Sequence, residues 1–177
     1  MKLEVHTIHS VEKIIDMVNL TEKAAKKVAV RSLNETARWL RANTSRELAK
    51  ETGVPSSFLK KRFFVRRAKA ATLPVTAILS VNLYDVRAKN LGHLQQLSRG
   101  GKAGKFMFDG SFVATMNAKR GQSLYKRKGR ERFPVQEMGV EIKTKAEPIL
   151  NKHLQEVPSI YEKRFQHHLI YELSKGI

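Results

Sequence analysis

The chain has 177 residues, of which 41% are hydrophobic and 28% are charged, so it has the composition of a folded protein and not of a disordered one. It contains no cysteine, which excludes disulfide bonds, thiolate catalysis and thiolate metal sites. We find neither a signal peptide nor a run of about 20 apolar residues. We therefore expect a protein that is made in the cytoplasm and does not enter a membrane.

Charge is distributed unevenly along the chain. The 34 Lys and Arg outnumber the 16 Asp and Glu, for a net charge of +18. Residues 52–130 have 17 of these cations and only two acids, Asp85 and Asp109, a net +15, whereas residues 1–51 have +3 and residues 131–177 have zero. Such a block either faces a polyanion or packs against acidic neighbours in an assembly. A merely solvated surface normally mixes both signs, as the two flanks do.

The first predicted elements are a strand and a long helix. Apolar and polar residues alternate over residues 2–8, which is typical of a strand with one buried face, and Ser10 can cap a short turn after it. Thr21 is a suitable N-cap for a helix that ends at Gly53, with small apolar residues at three- and four-residue spacing. Trp39 lies beside that apolar stripe, and we expect it to close the edge of the core.

Three shorter elements follow. Pro55 fits the first turn of a short helix, and residues 63–70 predict a strand with a basic face. Residues 73–84 give the clearest strand pattern, with Pro74 at its start or at a sheet edge. Alternate residues of this strand form one apolar face: Val75, Ala77, Leu79, Val81 and Leu83.

The segment after residue 97 is rich in glycine. Residues 98–105 predict a mobile basic loop that orders only in an assembly. Residues 105–116 predict a hairpin, because Asp109-Gly110 is a type I′ turn pair flanked by apolar residues.

The last part of the chain predicts one strand and helices. A basic turn over residues 126–130 precedes a strand over residues 133–142, and the end is helical, with Pro158 restarting a turn. The sum is an α+β fold in a single domain, residues 1–177: a long N-terminal helix and C-terminal helices packed on a central antiparallel β-sheet.

No pattern of residues indicates catalysis or a cofactor. Residues 99–105 contain glycines and lysines without the spacing of a phosphate-binding loop. His167 and His168 are adjacent and point to different faces of a helix, so they do not converge on a metal. The acids are scattered, with no paired carboxylates for acid–base chemistry. We expect no enzyme activity, no cofactor and no metal.

Nucleic-acid binding is the main alternative function. Residues 47–63 resemble a helix-turn-helix, with Gly53 in the turn and a basic second helix. That helix offers Ser56, Ser57, Lys60 and Lys61 but no Asn or Gln to recognise adenine. The alternative is a stand-alone basic nucleic-acid-binding protein.

Several segments, in this order and spacing, carry a family resemblance: 45–54, 59–62, 66–70, 77–82 leading to Leu91-Gly92, 124–127, 132–135, and Pro158 with 165–169 after it. They resemble the minor tail protein Z family of long-tailed phages, also called tail-completion proteins, over residues 20–173. The resemblance implies a non-enzymatic ring subunit, with six copies expected, at the head-proximal end of the virion tail. It also implies contact with the tail terminator and tail tube proteins, with head–tail connector proteins, and non-specifically with genome DNA.

The residues expected to face DNA or acidic partners are the basic side chains of the middle segment. Contacts to the DNA backbone alone suit a conduit that holds DNA without recognising its sequence. These residues are Lys60, Lys61, Arg62, Arg66, Arg67, Lys69, Arg99, Lys102, Lys105, Lys126, Arg127, Lys128 and Arg130.

Overall fold

A computed structural model describes residues 1–6, 21–72, 74–116 and 118–175. Its helices and strands confirm the expected α+β class. In chain order they are β1 (Lys2–His6), α1 (Glu22–Thr52), α2 (Ser56–Lys60), β2 (Phe63–Arg66), β3 (Thr76–Val81), β4 (Val86–Arg87), β5 (Leu94–Leu97), β6 (Gly100–Ala103), β7 (Phe106–Asp109), β8 (Phe112–Ala114), β9 (Ser123–Arg127), β10 (Val135–Glu137), β11 (Gly139–Val140) and α3 (Lys143–Leu173).

Helix α1 begins and ends where its capping residues predict. The Thr21 hydroxyl accepts a hydrogen bond from the Ala24 N–H at 3.4 Å. At the other end Gly53 has a left-handed φ of 72°, and its N–H donates to the Ala49 carbonyl at 2.9 Å. Trp39 is partly buried against the core, as expected for a residue at its edge.

The first sheet has the strand order β1-β3-β2 and is antiparallel throughout. Ala77, Leu79 and Val81 of β3 and Val75 just before it are buried, which confirms this part of the predicted apolar face. The strand is shorter than the one predicted over residues 73–84, and Leu83, beyond its end, is only partly buried. Strand β1 ends at His6; residues 7 and 8 and the Ser10 cap lie outside the described residues. One core cluster contains buried residues of α1, β3, β9 and α3, so helices and sheets share it.

Strand β2 (Phe63–Arg66) is shorter than the strand predicted over residues 63–70. The Ala68 N–H donates to Asn34 Oδ1 of α1 at 2.8 Å, and Asn34 Nδ2 donates to the Ala68 carbonyl at 3.2 Å. The Asn34 side chain therefore satisfies the backbone that would otherwise continue the sheet.

The predicted hairpin around Asp109-Gly110 is wrong. Strand β7 pairs with β6, while β8 pairs with β9, so this turn connects two different sheets, β5-β6-β7 and β10-β9-β8. The hairpin is formed instead by β6 and β7 around Gly104 and Lys105. A glycine at the first of two turn residues is a hairpin signal that the sequence reading missed.

The predicted loop over 98–105 is also wrong at residues 100–103, which form β6 between two antiparallel neighbours. Glycine fits there because a Cβ on Gly101 would lie 2.1 Å from Leu124 Cδ2 and would force that buried side chain to shift. The segment's mobility stays a prediction.

Two further predicted elements, the basic turn and the last strand, have different boundaries in the structure. Strand β9 runs to Arg127, so the basic turn begins at Lys128, whose N–H donates to the Pro134 carbonyl at 3.1 Å. The single strand predicted over 133–142 is two short strands, because β10 pairs with β9 and β11 pairs with β4.

The C-terminal helices are one continuous helix, α3, with Pro148 and Pro158 inside it. Proline removes an N–H donor and normally disturbs the helix. Apolar packing extends past the second proline, however, because Tyr161 and Phe165 share a core cluster with Val28 of α1. The two long helices thus form an antiparallel pair, in which Lys27 near the start of α1 binds Glu172 near the end of α3.

Candidate functional site

A first group of exposed cations follows the turn after α1. Leu59 is fully buried and fixes the short helix α2, so Lys60 and Lys61 at its end point into solvent. Arg66 and Arg67, at the end of β2, are exposed as well. We call this set, with the exposed Lys69, the α2–β2 group.

Arg62, in the same segment, has a structural role. Its guanidinium donates to the Tyr84 carbonyl and, at 3.1 Å, to the Asp85 carbonyl, and it lies 5.1 Å from the centre of the Phe58 ring. Burial, followed by the nearby charge of Arg87, lowers the pKa of Arg62. Arg62 therefore holds the segment before β4 against α2.

A second group lies on β9 and the turn after it. Lys126 lies beside the Gly110 turn, and Arg127 stacks 5.8 Å from the Phe112 ring centre. Lys128 and Arg130 follow in the exposed turn. We call these four cations the β9 group.

The remaining predicted residues belong to the β6–β7 hairpin region and are more constrained. Arg99 forms an ion pair with Asp109 at 3.1 Å. Lys102 is half-buried on β6. The Lys105 side chain lies against Gly53, the C-cap of α1, where a cation interacts favourably with the negative end of the helix dipole.

The structure thus separates the thirteen predicted residues by environment. Among the described residues, no Asp or Glu side chain forms an ion pair with any cation of the α2–β2 group or the β9 group. All nine cations of these two groups are exposed: Lys60, Lys61, Arg66, Arg67, Lys69, Lys126, Arg127, Lys128 and Arg130.

A family model for prophage minor tail protein Z matches residues 8–177, nearly the whole chain. The chain belongs to this family. No curated protein and no solved structure matches it. As a family member it is a structural tail protein of a phage and a component of the virion, where it contacts other virion proteins.

In this member of the minor tail protein Z family, the helix-turn-helix-like segment has an unusual geometry. Helix α2 has only five residues and is followed directly by strand β2, which forms a sheet with β3. A recognition helix normally lies within a helical bundle and presents several turns to the major groove. The short α2 instead exposes two lysines at its end.

Other kinds of site receive no support from the described part of the chain. No group of three His, Asp or Glu side chains there could hold a metal ion. None of the described helices is long and apolar enough to cross a membrane.

Sequence reading missed the ion pairs between the long helices. Glu35 of α1 binds Arg164 at 2.8 Å, and Glu47 binds Lys152 at 2.8 Å. His153 Nε2 lies 2.8 Å from Glu47 Oε2 as a close contact without hydrogen-bond geometry. The sequence offered one sign of these ion pairs, because both flanks of the basic segment contain acids as well as bases. Predicting which residues pair, however, requires the antiparallel register of α1 and α3.

Proposed function

We propose that this chain is a tail-completion protein, whose subunits form a ring at the head-proximal end of the tail. The ring joins the tail to the head and contacts genome DNA without sequence preference. Six subunits is the expected number. The observation that supports DNA contact is the pair of exposed cation groups with no acidic partner among the described residues.

The composition of these groups favours contact with phosphates. Lysine and arginine neutralise phosphate oxygens at any sequence, whereas adenine recognition in the major groove normally uses Asn or Gln. Helix α2 has neither. Binding should therefore be non-specific and strongly dependent on salt.

The proposed protein partners are the tail terminator and tail tube proteins on one side and the head–tail connector proteins on the other. A second use of the cations is contact with acidic faces of these neighbours. Complementary charge across such an interface would mainly set the association rate and the choice of partner.

Charge reversal in phage particles tests the proposal. The variant Lys60→Glu/Lys61→Glu/Arg66→Glu/Arg67→Glu changes exposed side chains only, so the subunit should stay folded while particles lose infectivity. Lys23→Glu, an exposed change on α1, is a single-site control with normal infectivity expected. Normal infectivity of the fourfold variant would contradict the assignment of this surface.

Electron microscopy of the joined particle tests the position and the ring. Density for the chain at the neck, repeated about the tail axis, supports the proposal. A footprint of the isolated protein on one defined DNA sequence would instead favour the stand-alone nucleic-acid-binding protein.

A further inference from the structure

The first sheet turns one face toward the core and the other face away from it. Leu79 of β3 and its partner Val65 of β2 belong to the core cluster, and side chains alternate between the two faces along each strand. Phe64 and Arg66, on either side of Val65, therefore point to the outer face. Phe64 is 61% exposed and Arg66 is exposed as well. Strand β2 thus presents an aromatic ring and a guanidinium to solvent on the same side, roughly 7 Å apart along the strand.

The aromatic ring of Phe64 differs from those of two other exposed aromatic residues. A cation of the same chain lies 5.8 Å from the centre of the Phe133 ring, and another lies 4.1 Å from that of Tyr171. Within the described ranges, neither a cation nor a second aromatic ring packs on Phe64. Its partner across the ladder is Ser80, whose side chain is small. The Phe64 ring is therefore accessible to an external group.

The charge around Phe64 is almost entirely positive. The cations of the α2–β2 group come before and after it in the chain, and none of them forms an ion pair with a described acid. In the three strands, the acid on the outer face is Glu4 of β1, which strand β3 separates from Arg66. A free aromatic ring among unpaired cations is the pattern of surfaces that bind single-stranded nucleic acid.

The aromatic ring decides which form of DNA suits this surface. In a duplex, neighbouring base pairs cover the faces of each base, so a protein reaches only the base edges and the backbone. In an unpaired strand, a base can lie on an aromatic side chain while its phosphates bind Lys and Arg. An acidic protein segment would need a carboxylate for each cation, whereas a DNA strand has a phosphate at every nucleotide.

We propose that the outer face of β2 binds an unpaired DNA strand, in which one base stacks on Phe64 and the adjacent phosphates contact Arg66 and the other cations of the α2–β2 group. This inference rests on the proposed DNA contact and specifies the form of DNA that this surface binds. It keeps the expected lack of sequence preference, because every base has a face that can stack.

The variant Phe64→Ala in the whole chain tests the stacking contact. Its binding is measured to a thymidine oligonucleotide of about 16 nucleotides and to a duplex of the same length. We expect roughly 5- to 140-fold weaker binding of the oligonucleotide and unchanged binding of the duplex. The salt dependence of oligonucleotide binding should stay the same, because no charge is lost. Tyr171→Ala, at an exposed aromatic residue on α3, is the control and should change neither affinity.

Two further variants separate stacking from apolar contact. Phe64→Trp keeps an aromatic face, so it should retain the affinity for the oligonucleotide, and the fluorescence of the new tryptophan should change on binding. Phe64→Leu keeps an apolar side chain without an aromatic face and should lose affinity as Phe64→Ala does. Full affinity of Phe64→Leu for the oligonucleotide would overturn the inference, as would an equal loss of oligonucleotide and duplex binding in Phe64→Ala.

The failure of this inference can be told apart from the failure of the proposed DNA contact. If Phe64→Ala binds the oligonucleotide as tightly as the unmodified protein, while the fourfold variant of the α2–β2 group loses duplex binding, only the inference is wrong. The same holds if the unmodified protein binds the duplex and not the oligonucleotide. If it binds neither, as expected of a surface that serves an acidic protein partner, both are wrong.

Discussion

The helical pair and the basic groups use charge in opposite ways. Between α1 and α3, acids and bases alternate across the contact: Glu172 binds both Lys27 and Arg31, and Glu35 binds Arg164. In the α2–β2 and β9 groups, cations are neighbours of cations and have no ion-pair partner among the described residues. Paired charges fit the antiparallel register of the helices, whereas like charges held together repel one another within the chain. We propose that the cations of the two basic groups serve a partner outside the chain.

We propose that this difference separates residues that maintain the fold from residues that serve assembly. Substitutions in the helical pair should change stability, and substitutions in the basic groups should change binding. Each experiment below tests one side of that division.

The largest expected effect is loss of a buried contact in the helical pair. Leu40 of α1 is fully buried in the cluster shared by helices and sheets. Leu40→Ala should lower the free energy of unfolding by about 2–5 kcal/mol, because it removes buried methyl groups and leaves a cavity. Denaturant unfolding followed by circular dichroism measures this value.

A double variant in the β9 group provides the comparison for the unfolding free energy of Leu40→Ala. The variant Lys126→Gln/Lys128→Gln, on exposed residues, should change the unfolding free energy by less than about 0.5 kcal/mol per site. Equal destabilisation by both variants would remove the distinction between the two regions.

A smaller effect is expected from the ion pairs between the helices, and it depends on pH. Hydrogen bonds from Lys27 to Glu172 and from Lys152 to Glu47 hold the pKa of each carboxyl below its usual value. Burial raises the pKa of Glu35, but the hydrogen bond from Arg164 and the nearby His168 outweigh it and leave that pKa lowered too.

The sign of the pH dependence follows from these directions. A carboxyl with a lowered pKa in the folded state stabilises the fold above its unfolded pKa and loses that contribution as pH falls through the folded value. Stability should therefore fall on acidification below about pH 4.5. The variant Glu35→Gln/Glu47→Gln/Glu172→Gln should be less stable at pH 7 and show a shallower fall; parallel profiles for the two proteins would contradict this.

The smallest effect is expected at the exposed ion pair between Arg99 and Asp109. Their side chains are 78% and 56% exposed, and such pairs contribute about 0–1 kcal/mol. Arg99→Gln should therefore lower the melting temperature only slightly. A loss comparable to that of Leu40→Ala would show that this turn matters to the fold more than its exposure indicates.

The sequence predicted local features well and long-range pairing poorly. The caps at Thr21 and Gly53 and the apolar face of β3 depend on neighbouring residues, so local rules predict them. Strand β7 pairs with β6 and not with β8, and Gly101 of β6 packs closely on Leu124 of β9, a contact between residues far apart in the chain. The continuity of α3 through Pro158 similarly depends on packing against α1.

Contacts between residues far apart in the chain also limited the prediction of the candidate site. Charge counting located the basic segment, but it could not separate Arg62, which binds the Tyr84 and Asp85 carbonyls, from the exposed Lys60 and Lys61. It also could not find the edge-on contact between the Trp39 and His153 rings, because the two residues lie on different helices and far apart in the chain.

The salt dependence of DNA binding tests the division between the two regions most directly. The variant Lys60→Gln/Lys61→Gln/Arg66→Gln/Arg67→Gln loses up to four phosphate contacts. For a duplex of random sequence, the slope of log K against log salt should therefore fall in magnitude by up to about 3.6, at ~0.9 per lost contact. The matched variant Lys27→Gln/Arg31→Gln/Lys152→Gln/Arg164→Gln removes the same charge from the helical pair and should lose stability with its slope unchanged. Equal slopes for the first variant and the unmodified protein, or equal changes in both variants, would contradict the account.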